Sequence, residues 1–412
     1  LNKSKKNLIW KTLANSNFRK LWLGQLISQI GDGLAMMSMM LVASLVTNGS
    51  AIAVAGVTVS MALPILVIGL FAGVYVDRWD RKRIMVVSDL IRFALILTLV
   101  LVRDASLLWM FYLVAAIQSS VGIFFDPAKN AIMPTILEGD LLMTANALSQ
   151  STRLIANAVG MGLAAVIIGF SGSWLAFVID AATFLVSAIM IIWMRFKHKP
   201  ALTKQAARQK AVRQLGEGLH FIGTNKMLIS VMFVYAVTML GLGSVIVLVI
   251  PFLTEDLKLA PEWISLVEAF EGIGMVIGSG VVAAFSQKLK ARYFMLGGTI
   301  GMGFFVALAM TAHQLMSTIY IVLGVGICLT AAQASASTLV QKMVPDEKRG
   351  RVLGALNVVY STTSIVSMAT AGILGDVLGI RNVFLLSGLV LVTAGLAGSY
   401  LIAGEKEPER VV

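Results

Sequence analysis

The sequence predicts an all-α integral membrane protein, twelve transmembrane helices in two six-helix bundles, and three observations carry that prediction. Of its 412 residues, 58% are hydrophobic and 13% charged, with a mean hydropathy of +0.87, whereas a soluble domain carries about a quarter charged residues. Apolar stretches long enough to cross a ~30 Å hydrocarbon core at about 1.5 Å per residue recur from Leu21 to Leu401. The basic residues are also segregated: with these stretches as spans, all but five of the 33 Lys and Arg fall on one side.

Breaks at charges, Gly and Pro place the first six spans near 18–46, 51–76, 84–102, 107–124, 145–170 and 174–193. A polar, basic stretch with Lys197, Lys199, Lys204, Arg208, Lys210 and Arg213 follows. A second set then runs near 227–253, 263–285, 293–312, 316–339, 352–378 and 382–403. The expected organisation is an N-terminal bundle over 1–195, a cytoplasmic linker over 196–226 and a C-terminal bundle over 227–412. Arg103, Lys258 and Arg381 lie opposite the basic side, and Arg92 and Arg153 fall within spans. The positive-inside rule then puts both termini in the cytoplasm of a cell whose membrane the chain crosses many times. Trp22, Trp109, Trp174, Trp193 and Trp263 fall at span ends, where an amphipathic ring prefers the headgroup layer. An internal repeat marks the same division: Met133, Pro134 and Asn146 recur as Val344, Pro345 and Asn357 at a constant offset.

The net charge of +12 does not indicate nucleic-acid binding, because the charge sits along one membrane face. The segment to Ser16 carries lysines but neither an apolar h-region nor a small-residue cleavage site, so no signal peptide is expected. Leu1 fits a non-AUG start translated literally, which points to a bacterial gene. The single cysteine, Cys328, supports neither a disulfide framework nor a cysteine metal site, and no cofactor is expected. No Gly-rich loop ending in Gly-Lys-Ser/Thr is present, so ATP hydrolysis of the P-loop kind is excluded. Any work done must draw on a gradient, and one charge moved across 100 mV is worth ~2.3 kcal/mol.

The most specific motif follows the second span: Gly73, Asp77, Arg78, Asp80, Arg81, Lys82 and Arg83, in the stretch GVYVDRWDRKR. A glycine there lets two helices approach closely, an acid can sit near a helix's positive N-terminal end, and the arginines hold the loop at the cytoplasmic face. The stretch resembles the loop signature of the major facilitator superfamily. SQIGDG from Ser28, FFDPAKNAIMP from Phe124, TANAL from Thr144, GEGLHF from Gly216 and the Asp89 to Arg92 run extend the likeness. It is most similar to the macrolide-efflux and enterobactin-exporter branch of drug/proton antiporters. The resemblance implies alternating access by two rocking bundles, with Gly73, Asp77, Arg78, Arg81, Lys82 and Asp126 forming a conformational gate. The copy in the second half is decayed: Gly280 remains, but Ala284 stands where the acid would be. Two departures bear on coupling, since Gln118 stands where many antiporters carry an arginine and Gly160 is followed by Met161 instead of proline.

Charges inside spans are costly, at least ~2.5 kcal/mol at a helix centre, so each needs a partner or a task. Asp32 lies mid-span between Gly31 and Gly33, beside Met36, Met37, Met39 and Met40. It can exchange a proton, pair with a cationic compound in a methionine-lined cavity, or simply tie two helices together. Glu268 and Glu271 share one helix face near Trp263 and read as an outer vestibule for protons or cations, or as solvated acids. Arg153 either serves the cavity or snorkels to the headgroups. Asp180 and the Asp89/Arg92 pair read as structural, and Asp376 is expected to pair with Arg381. The candidate coupling residues are thus Asp32, Glu268, Glu271, Arg153 and Gln118, with no catalytic or metal-ligating set.

The expected activity is export of lipophilic or cationic, macrolide-like compounds by proton antiport, with small molecules, protons and the bilayer as partners and a monomer as the working unit. An exporter or flippase of an endogenous siderophore, metabolite or lipid is the alternative. From another class comes a non-transporting membrane receptor or scaffold.

Overall fold

The computed structural model describes residues 3–76, 79–102, 104–137, 140–195, 216–217, 220–260, 262–285 and 289–403. Among these, a short basic helix α1 (Lys3–Ala14) precedes twelve helices long and apolar enough to cross a membrane. The first six are α2 (Ser16–Val46), α3 (Ala51–Val76), α4 (Arg81–Thr98), α5 (Leu108–Ile136), α6 (Asp140–Ser171) and α7 (Ser173–Ile192). The second six are α8 (Lys226–Pro251), α9 (Glu262–Phe285), α10 (Ala291–Leu308), α11 (Leu315–Met343), α12 (Asp346–Leu378) and α13 (Ile380–Ala403). No strand occurs among the described residues.

Local chemistry sets several of the boundaries. Asp80 caps α4 by accepting from the Lys82 and Arg83 amides at 2.9 and 3.1 Å, satisfying donors that a helix start leaves open. Asn225 does the same for α8 through the Leu228 amide. Gly172 and Gly379, at φ +78° and +83°, make the sharp turns into α7 and α13 that an L side chain resists. Between α4 and α5, Asp104 accepts from the Ser106 hydroxyl and amide, and these bonds hold its carboxyl below the usual carboxylate range.

Two compact units result, one of Leu1–Val46 with Ser60–Arg208 and one of Thr47–Val59 with Gln209–Val412. Within the first, α2 packs on α6 and α7, and α4 packs on α5 and α7. Within the second, the pattern repeats six helices later: α8 packs on α12 and α13, and α10 packs on α11 and α13. In lipid, helices associate through close packing, so small residues at crossings carry much of the cohesion. At Gly33 of α2 an added Cβ would meet the Asn157 carbonyl at 2.2 Å, and at Gly160 of α6 it would meet the Ile30 carbonyl at 2.0 Å. These two glycines let α2 and α6 touch backbone to backbone. Side chains such as Phe170 and Tyr400, both 85% exposed, lie on the outside of the helices, where a bilayer supplies the apolar contact.

Three sequence expectations are revised. The fourth span continues past 124 to Ile136, through Asp126, Pro127, Lys129 and Pro134, because Lys129 pairs with Asp126 at 2.6 Å one turn away and lets charged residues remain helical. Trp22 turns inward and donates its indole N–H to Thr152 Oγ1 at 2.9 Å, whereas Trp109, Trp174, Trp193 and Trp263 are exposed at helix ends. Arg381 pairs with Asp256 at 2.7 Å instead of with Asp376. The Asp376 carboxylate accepts from the Ser50 hydroxyl and the Ala51 amide at 2.8 and 2.7 Å, capping α3 within the second unit.

Candidate functional site

In the first unit the polar interior is built by four helices. Asp32 on α2 is half-buried and receives a long hydrogen bond, 3.5 Å, from Gln118 Nε2 on α5. Gln118 itself is buried. Asp180 of α7 is fully buried and lies against α2 at Gly31, where an added Cβ would stand 2.3 Å from Asp180 Oδ1 and 2.2 Å from Thr183 Oγ1. Asp89 of α4 is also buried, and Arg92 follows it by one turn. The Arg92 guanidinium is held between the Phe125 and Phe184 rings, 5.7 and 5.3 Å from their centroids, a cation–π arrangement. Arg92 lies within electrostatic reach of Asp32, Asp89 and Asp180 alike. The structure therefore joins Asp32 and Gln118 to three residues that sequence reading assigned to structure.

Arg153 is not part of this cluster; its side chain is exposed on α6. Near the chain-terminal ends of the helices, Arg81 donates to the Ala131 carbonyl at 3.0 Å and Lys82 to the Ile192 and Met194 carbonyls, both at 2.8 Å. These bonds tie the start of α4 to α5 and to the end of α7. Gly73 falls in the last turns of α3, while Asp77 and Arg78 lie outside the described residues. Asp126 sits on α5 with Lys129 as its ion-pair partner.

In the second unit, Glu268 and Glu271 share a face of α9, three residues apart. Glu271 lines a small apolar pocket of about 40 Å³ together with Val245, Val249, Phe252 and Phe384. The two phenyl rings meet edge to face at 5.3 Å. Phe252 opens a π-helical turn, Phe252–Asp256, that ends α8; such turns recur at functional positions. Arg381 braces it by pairing with Asp256 and lying over the Phe252 ring at 5.4 Å.

Twelve membrane-length helices, packing partners that recur six helices later and buried charges on facing helices are the features of a polytopic membrane transporter. The transmembrane secretion effector family model matches residues 8–409. The MFS-type transporter YfiS of Bacillus subtilis is 26% identical over 385 residues, 90% of each chain. Macrolide efflux protein A of Streptococcus pyogenes is 26% identical over 380 residues, covering 91% of this chain and 93% of that one. Among solved structures, the fold is similar to the bacterial homologue of the human lysosomal transporter Spinster in its inward-facing, unoccupied form. The TM-score is 0.72 at 14% identity, over 95% of this chain and 99% of that one. This chain belongs to the transmembrane secretion effector family, within the major facilitator transporters. It is a multi-pass membrane transporter of small molecules, not an enzyme.

Proposed function

We propose that the chain exports lipophilic or cationic compounds, macrolide-like ones among them, by proton antiport through alternating access. The observation that carries this reading is the Asp32 carboxylate, in the middle of α2 against Gln118, in a chain that aligns over nine-tenths of its length with a macrolide efflux protein. A mid-helix acid has a cost in lipid that transport would justify. Glu268 and Glu271 would serve as a second acidic station. The Gly73, Asp77, Arg78, Arg81, Lys82 and Asp126 set would act as the gate on the cytoplasmic side, with both termini cytoplasmic and the single chain as the working unit. Arg153 would meet anionic groups at the membrane surface.

The test is efflux of a fluorescent lipophilic cation from energised cells, comparing the native chain with Asp32→Asn at equal expression, with and without a protonophore. Protonophore-sensitive efflux in the native chain, lost in Asp32→Asn, is the expected result. Full activity in the variant would remove Asp32 from the coupling step.

A further inference from the structure

We infer that Asp32, Asp89 and Asp180 form one shared proton-binding site inside the first unit, with Arg92 as its fixed counter-ion. This assigns a task to Asp89, Asp180 and Arg92 beyond helix packing, and it rests on the proton-antiport reading of the same region. The first support is convergence: the acids come from α2, α4 and α7, and all three lie within electrostatic reach of one guanidinium. That guanidinium is immobilised by two aromatic rings and by Gly122, where an added Cβ would stand 2.1 Å from it.

The second support is independent of charge. Both carboxylate oxygens of Asp89, Asp180 Oδ2, Gln118 Oε1, Arg92 Nε and Ser187 Oγ are buried without a hydrogen-bond partner. Ser187 of α7 is the side chain that interacts directly with the Asp89 carboxylate across the α4–α7 contact. An unpaired buried polar atom is costly, and a cluster of them in one place calls for a task or a small bound partner.

Charge balance names the exchanged species. One guanidinium neutralises one carboxylate, and two further buried negative charges would stand uncompensated. The other charged groups facing the cluster, Asp126 and Lys129 of α5, neutralise each other as an ion pair. The remaining carboxyls are therefore neutral only while they carry protons. Loading a proton makes one O–H bond on a carboxylate oxygen and involves no electron transfer; unloading restores an anion within electrostatic reach of the Arg92 guanidinium. Gly31, next to Asp32 in α2, leaves the space in which Asp180 approaches that helix, and the two acids lie within electrostatic reach of each other.

The test uses the full chain reconstituted in lipid, in a Glu268→Gln/Glu271→Gln background. It follows the infrared carbonyl band of protonated carboxylic acids as the buffer is switched between mildly acid and mildly alkaline. No substrate is needed. Part of the band is expected to disappear in Asp180→Asn and part in Asp89→Asn, and Arg92→Gln should move its titration to more alkaline pH, since a neighbouring cation favours the ionised form. The helical amide band of the same spectrum reports folding. Asp180→Glu, which keeps the acid, should shift the carbonyl band in frequency even if the amide variant fails to fold. A band unchanged in Asp180→Glu and Asp89→Asn would overturn the site, even alongside protonophore-sensitive efflux that upholds the exporter. An altered band in a chain that moves none of the compounds tried would keep the site and overturn the exporter.

Discussion

Asp376 shows how far a side chain's role can lie from its sequence surroundings. Arg381 is its obvious partner by proximity along the chain, yet Asp376 caps α3, 325 residues away along the chain from Ala51. Asp376→Ala should destabilise the protein by about 1 kcal/mol or less, the scale of an exposed cap, and Asp376→Asn should lose less because an amide oxygen still accepts. Thermal unfolding of the purified protein in detergent, read as a shift in Tm, checks both. Asp104 offers a check in pH. Its carboxyl is held below the usual range by Ser106, so the contribution is present above the unfolded-state value and is lost as pH falls through the lower folded-state value. Asp104→Asn should therefore lower Tm at neutral pH, where the charged carboxylate contributes, and approach the native value at acid pH, where Asp104 is itself protonated, so that the Tm-against-pH curve flattens. At this scale the sequence was partly legible. Asp32 stands out because an acid in an apolar run is costly wherever the helix faces. Asp180 and Arg92 carry the same signal, but their meeting depends on the rotation of α4 and α7, which no local pattern encodes.

Helices were the most legible feature, since a membrane span must be continuous, apolar and internally hydrogen-bonded. Their ends were less so. The DPAK stretch in α5 has charge and proline, both of which signal a break in an isolated chain, while the Asp126–Lys129 pair and the helix interior absorb them. Gly160 illustrates the opposite case, a residue whose family position suggested a coupling motif but whose physical role here is contact with α2. Gly160→Val should push α2 and α6 apart and cost on the order of 1–3 kcal/mol, as overpacking does. Gly162, with open space around it, should tolerate Ala. Comparing the Tm of Gly160→Val with that of Gly162→Ala separates packing from a general loss of glycine flexibility. A large fall in both would contradict the assignment of the close approach to Gly160.

For the whole molecule, the sixfold shift in packing partners, α2 to α8 and α4 to α10, restates in three dimensions the repeat carried by Pro134 and Pro345. The repeat was readable because the same residues recur along the chain at a constant offset. Orientation in the membrane is a matter of charge distribution. With Cys328→Ser as a cysteine-free background, a single cysteine at position 104 should react with a membrane-impermeant thiol reagent added outside cells, and one at position 290 should react only after lysis. The reverse pattern would invert the proposed topology. The division of the chain between the units also carries a consequence in time. The segment Thr47–Val59 belongs with residues that begin at Gln209, and its cap, Asp376, is made 325 residues after Ala51. At about 5–20 residues per second of synthesis, the start of α3 waits roughly twenty seconds to a minute for the carboxylate that completes it. During biogenesis, the first half of the protein therefore has to be held in the membrane with one helix end unfinished until the second half arrives.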